Sequence, residues 1–357
     1  MKPEFYKIKH AELLQYSESE AYLKLDEKPV SQERIKSYLK NPNSLPDDYV
    51  LYVLCAENQL IAYRSLLPDN YGDNPKTHFA WLSGNWVHPT HRGQGHSTSL
   101  LTEVQSDWHG KLMYTNYAPE SHALYQKSGL FYGISSREGK RFYLFAKTRI
   151  LLKNRVAKPI KWFLPIIDTL IAIYANLKIK TQSKSKTTSY EVEARKKPDG
   201  FFLLAFNQRK TSGFCRIDKA LEWILDYPWV TQSGTTQSYF FSHRAEHMFY
   251  RFLWIKNPKG EKSGWAILHF RDGMLKTPYY QADNAELSCL ARYIIDFARK
   301  YKIQQFRCFD AGLAAAVNQE KHPFIYQKPA QQNIYASWEI NPEKPIVSDG
   351  DGDYIFT

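Results

Sequence analysis

Residues 87–97, Val-His-Pro-Thr-His-Arg-Gly-Gln-Gly-His-Ser, combine residue types and spacing that could do chemistry. Gly93 and Gly95 let the backbone turn tightly and expose its N–H groups. A helix is predicted to begin directly after them, and its positive dipole end points at the same place. Arg92 adds a charge. Such a bend fits either a plain tight turn or a diphosphate site built from main-chain N–H groups.

Other candidates are weaker. Cys55, Cys215, Cys289 and Cys308 form no CxxC pair and no metal-ligand spacing with His, so buried free thiols are expected and no metal. Asp349-Gly350-Asp351-Gly352-Asp353 suggests a Ca²⁺ loop but lacks a bidentate Glu at the required spacing. A solvated acidic tail over 348–357 is expected instead, with docking onto the basic connector as an alternative.

The elements that must position the bend can be read from period and punctuation. EFYKIKH (4–10) alternates as a strand does. SQERIKSYLKNP (31–42) is a helix with a Ser cap and a Pro stop. Two strands meet in a hairpin at Glu57-Asn58. THFAWLSGNWVHP (77–89) is a strand interrupted at Gly84, where a bulge or close ligand approach is expected. An amphipathic helix over 97–110 buries Leu100, Leu101, Val104 and Trp108. A strand (111–118), a short helix (121–130) and a hairpin formed by FYGISS and KRFYLFAK follow.

The chain has 357 residues and a formal charge of +12. Its length suits two domains of ordinary size. Residues 149–197 hold twelve Lys/Arg and three acids, a net +9. Nucleic-acid binding is not expected, because the charge sits in a connector and not across a working face. The centre of that connector, WFLPIIDTLIAIYANL (162–177), is too short to span a bilayer. It is either a helix packed between domains with solvated lysines or an interfacial helix touching anionic lipid over about 158–180. Pro165 and Asp168 favour the packed helix. The first residues have no apolar core of a signal peptide, so a cytoplasmic protein is expected.

Arg92-x-x-Gly95-x-Ser97, with Val87-x-Pro89 upstream, resembles the acyl-CoA loop of the GNAT superfamily of N-acyltransferases. Ser97 stands where that family has Gly or Ala. Leu124-Tyr125-x-x-x-Gly129-Leu130 is similar to a second family run, and Asn116 lies on the strand before it. The resemblance covers about residues 3–147 and implies an α/β fold with a mixed sheet and acetyl-CoA as cosubstrate. It further implies that the amides of Gln94, Gly95, His96 and Ser97 hold the diphosphate, with Gly93 and Arg92 in the same cofactor-binding loop, and that Trp86, Val87 and His88 pair with the pantetheine arm. Tyr125 would protonate the departing thiolate, although a core aromatic is the plain alternative. Family members often carry a Glu on the strand before the loop, and none is present here. His78, His88, His91, Asp69 and Asp73 are the candidate bases.

The second half repeats the element order without the loop. CRIDKALEWILDYP (215–228) is a helix, Asp272-Gly273 a turn, NAELSCLARYIIDFARKYK (284–302) a helix and IQQFRCFD (303–310) a strand. Tandem GNAT-like domains are expected, each a twisted, mostly antiparallel sheet with helices on both faces. The boundaries are 1–147 for the catalytic domain, 148–189 for the connector, 190–347 for the degenerate repeat and 348–357 for the tail. The expected activity is direct acyl transfer to a small polar amine such as an amino sugar. A non-catalytic acyl-CoA sensor is the rival.

Overall fold

The computed structural model describes residues 3–72, 76–116, 118–145, 147–148, 162–181, 189–209, 213–214, 216–232, 239–241, 243–340 and 347–356. The chain forms two compact units that are not consecutive stretches. One comprises Met1–Ser136, Leu203–Glu246 and Gln332–Thr357; the other comprises Arg137–Phe202 and His247–Gln331. The expected division into 1–147 and 190–347 therefore does not match the packing.

In the first unit, β1 (Glu4–Lys9), β2 (Tyr49–Ala56), β3 (Gln59–Tyr71) and β4 (Thr77–Val87) form an antiparallel meander. Glu57 adopts φ 53° in the β2–β3 turn. β5 (Leu112–Thr115) runs parallel to β4, and the end of the last strand, β12 (Tyr326–Ala336), lies antiparallel to β5. Helix α4 (His96–Asp107) presents Leu100 and Val104, followed by Trp108, to Tyr52, Ile61, Ala62 and Leu66 of β2 and β3. Arg64 of β3 also points to α4, so alternation along the strand turns Tyr63 and Ser65 to the other face. That face carries α3 (Gln32–Leu39), which follows α1 (Leu13–Glu18) and α2 (Glu20–Leu23). Ser31 caps α3 by accepting from the Arg34 N–H at 3.2 Å. Helix α5 (Pro119–Ser128) stops at Gly129, which has φ 67°.

The segment 203–246 completes this unit. Trp223 of α8 (Asp218–Asp226) donates through Nε1 to the Ser37 carbonyl at 2.7 Å, and Trp229 Nε1 donates to Ser37 Oγ at 3.0 Å. The C-terminal residues are not a solvated tail. Asp349, Asp351, Tyr354, Ile355 and Phe356 are buried. Phe356 stacks on Trp229 with ring centroids 4.3 Å apart. Arg216 donates to the Gly350 carbonyl at 2.9 Å and pairs with buried Asp69 at 3.0 Å. The apolar residues that end the chain outweigh its run of acids, and buried arginine compensates the charge.

In the second unit, β7 (Glu191–Arg195), β8 (Met248–Lys256), β9 (Lys262–Arg271) and β10 (Met274–Gln281) form the meander. β11 (Gln305–Cys308) is parallel to β10, and the end of β6 (Tyr132–Tyr143) is antiparallel to β11. Helix α9 (Asn284–Tyr301) buries Leu290, Ile294 and Ala298 against Leu253, Ala266, Leu268 and Leu275. On the opposite face Phe202, in α7 (Gly200–Asn207), meets the rings of Phe252, Trp254 and Trp265 edge-on. A long helix, α6 (Leu164–Thr181), and a short one, α10 (Ala311–Gln319), belong to this unit.

Meander, helix, parallel strand and helix thus occur twice in the same order. The molecule is a tandem of mixed, mostly antiparallel sheets with helices on both faces. Each repeat closes with a strand from the other half of the chain: β6 follows α5 yet pairs with β11, and β12 follows α10 yet pairs with β5. The expected hairpin over 131–147 is therefore one continuous strand. Gly139 lies within that strand and permits close approach. A Cβ there would lie 2.1 Å from the Cys308 carbonyl oxygen. Cys55, Cys289 and Cys308 are buried free thiols, whereas Cys215 lies outside the described residues.

Candidate active site

Between β3 and β4 the register slips, with Ser65 opposite Gly84 and Leu66 opposite Leu82, which leaves Ser83 as the extra residue of a bulge. A side chain at Gly84 would collide with Ser65 Oγ at 2.4 Å. β4 and β5 pair only through Ala80–Leu112 and Trp81–Met113. Beyond Trp81 the edge of β4 over Leu82–Val87 pairs with no second strand among the described residues. His88 N–H donates back to the Ile61 carbonyl at 2.8 Å. Alternation in an antiparallel ladder then directs the Val87 N–H to the open edge.

At the end of this edge Pro89–His91 make one 3-10 turn, and Gly93 and Gly95 take φ 82° and 83°. Gly95 is the N-cap of α4 and no side chain caps the helix. Its first-turn N–H groups therefore have no partner from a capping side chain. Residues 92–95 are exposed. The Arg92 side chain folds back and donates to the Val87 carbonyl at 3.3 Å. Gln94 Oε1 lies 3.2 Å from His96 Nε2, and Trp86 stacks on Phe240 with ring centroids 3.7 Å apart.

Tyr125 is buried on α5, with its ring 4.4 Å from that of Tyr114. Its hydroxyl accepts from Arg64 Nη1 at 2.8 Å. Arg64 Nη2 donates to the Ser97 carbonyl and hydroxyl at 3.2 and 3.3 Å, and Ser97 Oγ donates to Asn85 Oδ1 at 3.0 Å. The serine in place of Gly or Ala thus links the start of α4 to the β4 edge. Asn116 is brought elsewhere: its backbone N–H donates to the Asn333 carbonyl, and its side-chain oxygen accepts from the Asn333 N–H at 2.9 Å. It fastens β12 and does not join the loop.

Tyr125 opens onto a cavity of about 260 Å³. Leu82–Asn85 of β4 form one wall, and Thr115, Ala118 and Ser121 another. The remainder comes from Ser31, Arg34, Trp229, Tyr239, Phe241 and Asp353. Arg34 is buried and donates to Tyr38 Oη at 3.0 Å, Tyr239 Oη at 3.3 Å and Ser83 Oγ at 2.6 Å. Its guanidinium lies 3.9 Å from the centre of the Trp229 ring. Ser83 Oγ in turn donates to Asp353 Oδ2 at 2.8 Å. The bulged serine therefore bridges a buried cation and the one carboxylate lining the cavity among the described residues.

The base candidates are placed differently. His78 Nε2 lies 2.9 Å from Asp48, Asp69 is consumed by Arg216 and the Trp81 indole, and His88 Nδ1 lies 2.7 Å from Thr90 Oγ1 on the surface. None of these, nor His91, lines the cavity. Asp73 lies outside the described residues. Arg64, Arg34, Ser83 and Asp353 were missed by sequence reasoning. A Ser directly before the interrupting Gly84 was the only local signal, since the other three come from distant elements.

No curated protein sequence matches the chain. Three solved structures share its fold over nearly its whole length. A conserved protein of unknown function from Enterococcus faecalis V583 is 10% identical, with a TM-score of 0.51, over 94% of this chain and 72% of its own. A GCN5-related N-acetyltransferase from Anabaena variabilis ATCC 29413 is 12% identical, with a TM-score of 0.50, over 94% and 72%. The N-myristoyltransferase of Saccharomyces cerevisiae, solved with bound myristoyl-CoA, is 12% identical, with a TM-score of 0.52, over 95% and 84%. At these identities the similarity is one of fold. The sequence of residues 11–130 matches the acetyltransferase (GNAT) family, and this stretch holds the bulge, the glycine loop and Tyr125. Residues 11–130 of this chain are a GNAT acetyltransferase domain.

Proposed function

We propose that this chain is an acyl-CoA-dependent N-acyltransferase that uses acetyl-CoA and acylates the primary amine of a small polar molecule. One observation carries the reading: a single cavity bears a phenol, Tyr125, and a carboxylate, Asp353, beside an open strand edge. Bound acyl-CoA supplies a thioester whose carbonyl carbon the amine attacks, a C–N bond forming as the C–S bond breaks. The N–H groups of Gln94 and Gly95 in the bend and of His96 and Ser97 in the first turn of α4 hold the diphosphate, helped by the helix dipole. The backbone of Trp86–His88 holds the arm, and the Val87 N–H polarises the carbonyl.

Asp353 takes the proton that the acceptor ammonium must lose before its lone pair can react. Tyr125 gives its proton to the departing sulfur. Arg64 has donors only, so the Tyr125 oxygen accepts from it and the phenolic hydrogen is free to point at another acceptor. The same guanidinium faces the negative charge left on that oxygen. Ser31, Ser83 and Ser121, beside the rings of Tyr239 and Phe241, suit an acceptor rich in hydroxyls, such as an amino sugar.

Release of free thiol from acetyl-CoA across a panel of amino sugars, polyamines and amino acids tests the reading. Turnover with an amine is the expected result. Calorimetric binding of CoA with no turnover would instead mark a coenzyme-sensing module, and no binding at all would remove both readings.

A further inference from the structure

Helix α6 spans 18 residues, about 27 Å of axis. Ile166, Ile167, Leu170, Ile173, Tyr174 and Leu177 recur along it at three- and four-residue spacing, and each is 40–60% exposed. Trp162, just before the helix, is 76% exposed. The opposite side faces the protein. Leu164 and Ala175 are buried, Ile179 packs against the core, and Lys178 donates to the Phe324 carbonyl at 2.6 Å. A stripe of large apolar side chains left in water over about three turns is costly unless something covers it.

The two residues that counted against lipid contact do not oppose it. Pro165 lies in the first turn, where proline interrupts no intrahelical hydrogen bond. Asp168 is turned inward, and its carboxylate accepts from Thr148 N–H at 2.5 Å and Thr148 Oγ1 at 2.6 Å. Among the described residues no helix is long and apolar enough to cross a membrane. In sequence, Arg149, Lys153, Arg155, Lys158 and Lys161 precede the helix, and Lys178, Lys180, Lys184 and Lys186 end or follow it. Asp168 is the only acid between Arg149 and Lys186.

We propose that α6 is an interfacial helix that docks the protein onto an anionic lipid bilayer, with its apolar stripe lying in the headgroup boundary and the flanking basic residues over the lipid phosphates. Charge decides against the rival occupant, a second copy of this chain, because two such segments face to face would bring like charges together. The inference is independent of the catalytic reading.

Flotation of the full chain with vesicles tests it. The protein should float with phosphatidylcholine vesicles containing phosphatidylglycerol and bind pure phosphatidylcholine at least about tenfold more weakly, with binding falling as salt rises. The double variant Leu170→Glu/Ile173→Glu should lose about tenfold or more on the anionic vesicles. Both positions are exposed, so its thermal melt should match the parent, and the milder Leu170→Ser/Ile173→Ser variant serves if it does not. No flotation with anionic vesicles would overturn the proposal. So would equal flotation of the variants, which would assign binding to the basic segments alone. A lipid-free dimer abolished by the same substitutions would assign the stripe to a second copy.

Discussion

The two repeats place the same strand–turn–helix unit in opposite chemical states. In the first, β4 leaves β5 after two paired residues, and α4 begins at a left-handed glycine with no side-chain cap. In the second, β10 likewise leaves β11 after three pairs, from Met274–Gln305 to Lys276–Arg307, so the strands are alike and the helix starts differ. Helix α9 there begins with a capping box: Asp283 accepts from the Glu286 N–H at 2.8 Å, and Glu286 accepts from the Asp283 N–H at 2.7 Å. Two carboxylates already occupy the positive end of α9, so an anion would meet charge of its own sign. One helix start is left without a side-chain cap and the other is closed by its own side chains. An intrahelical cap and a diphosphate site are alternative uses of the same orphan N–H groups.

If this asymmetry separates a working repeat from a supporting one, the largest effect should come from Tyr125. Tyr125→Phe removes the phenolic hydroxyl while keeping the ring against Tyr114 and Phe131. Steady-state kinetics should show kcat falling about 100-fold or more with little change in KM for acetyl-CoA. A matching rise in KM instead would make the phenol a binding group.

Asp353→Asn should follow, with a loss near 100-fold at neutral pH. The deficit should shrink as pH rises, because a growing fraction of the acceptor arrives as free amine and needs no base. A loss that stays constant up to the pKa of the amine would reduce Asp353 to a structural partner of Ser83.

Much of this contrast was legible before any coordinates. The Gly93–Gly95 bend is local and was read, as was its lack in the second half, whereas the equally local capping box of Asp283 and Glu286 was not. Ser97 was legible as a departure but not as a link, because its partners Arg64 and Asn85 are on other strands. Asp353 reads as one more acid in a polar tail until Phe356 is seen stacked on Trp229. The inward turn of Asp168 was hidden likewise, since its partner Thr148 precedes it by twenty residues. The exchange of β6 and β12 between repeats was out of reach because pairing partners are set by long-range packing, which strand propensity does not encode.

Gly95→Val addresses the open helix start directly. A β-branched residue at φ 83° is strained, and rearranging the bend would misdirect the N–H groups. Calorimetry should show CoA affinity weakened about tenfold or more. Among the described residues no heavy atom beyond the chain neighbours and the helix's own backbone lies within 4 Å of the added Cβ position, so backbone strain is the expected cause. An unchanged affinity would mean that the loop does not hold the diphosphate.

The smallest effect belongs to the closed helix start. Asp283→Ala removes one cap and should lower stability by about 1 kcal/mol, read as a modest drop in melting temperature. CoA affinity and kcat should stay at parental values, because α9 offers no left-handed glycine bend and its first N–H groups are met by its own carboxylates. Capping and anion binding would then be separable properties of the two helices: one variant costs stability without touching the ligand, the other costs affinity with a cap that was never there to lose. A fall in CoA affinity on Asp283→Ala comparable with that of Gly95→Val would show that the second repeat binds the coenzyme after all, and the division of labour between the repeats would have to be redrawn.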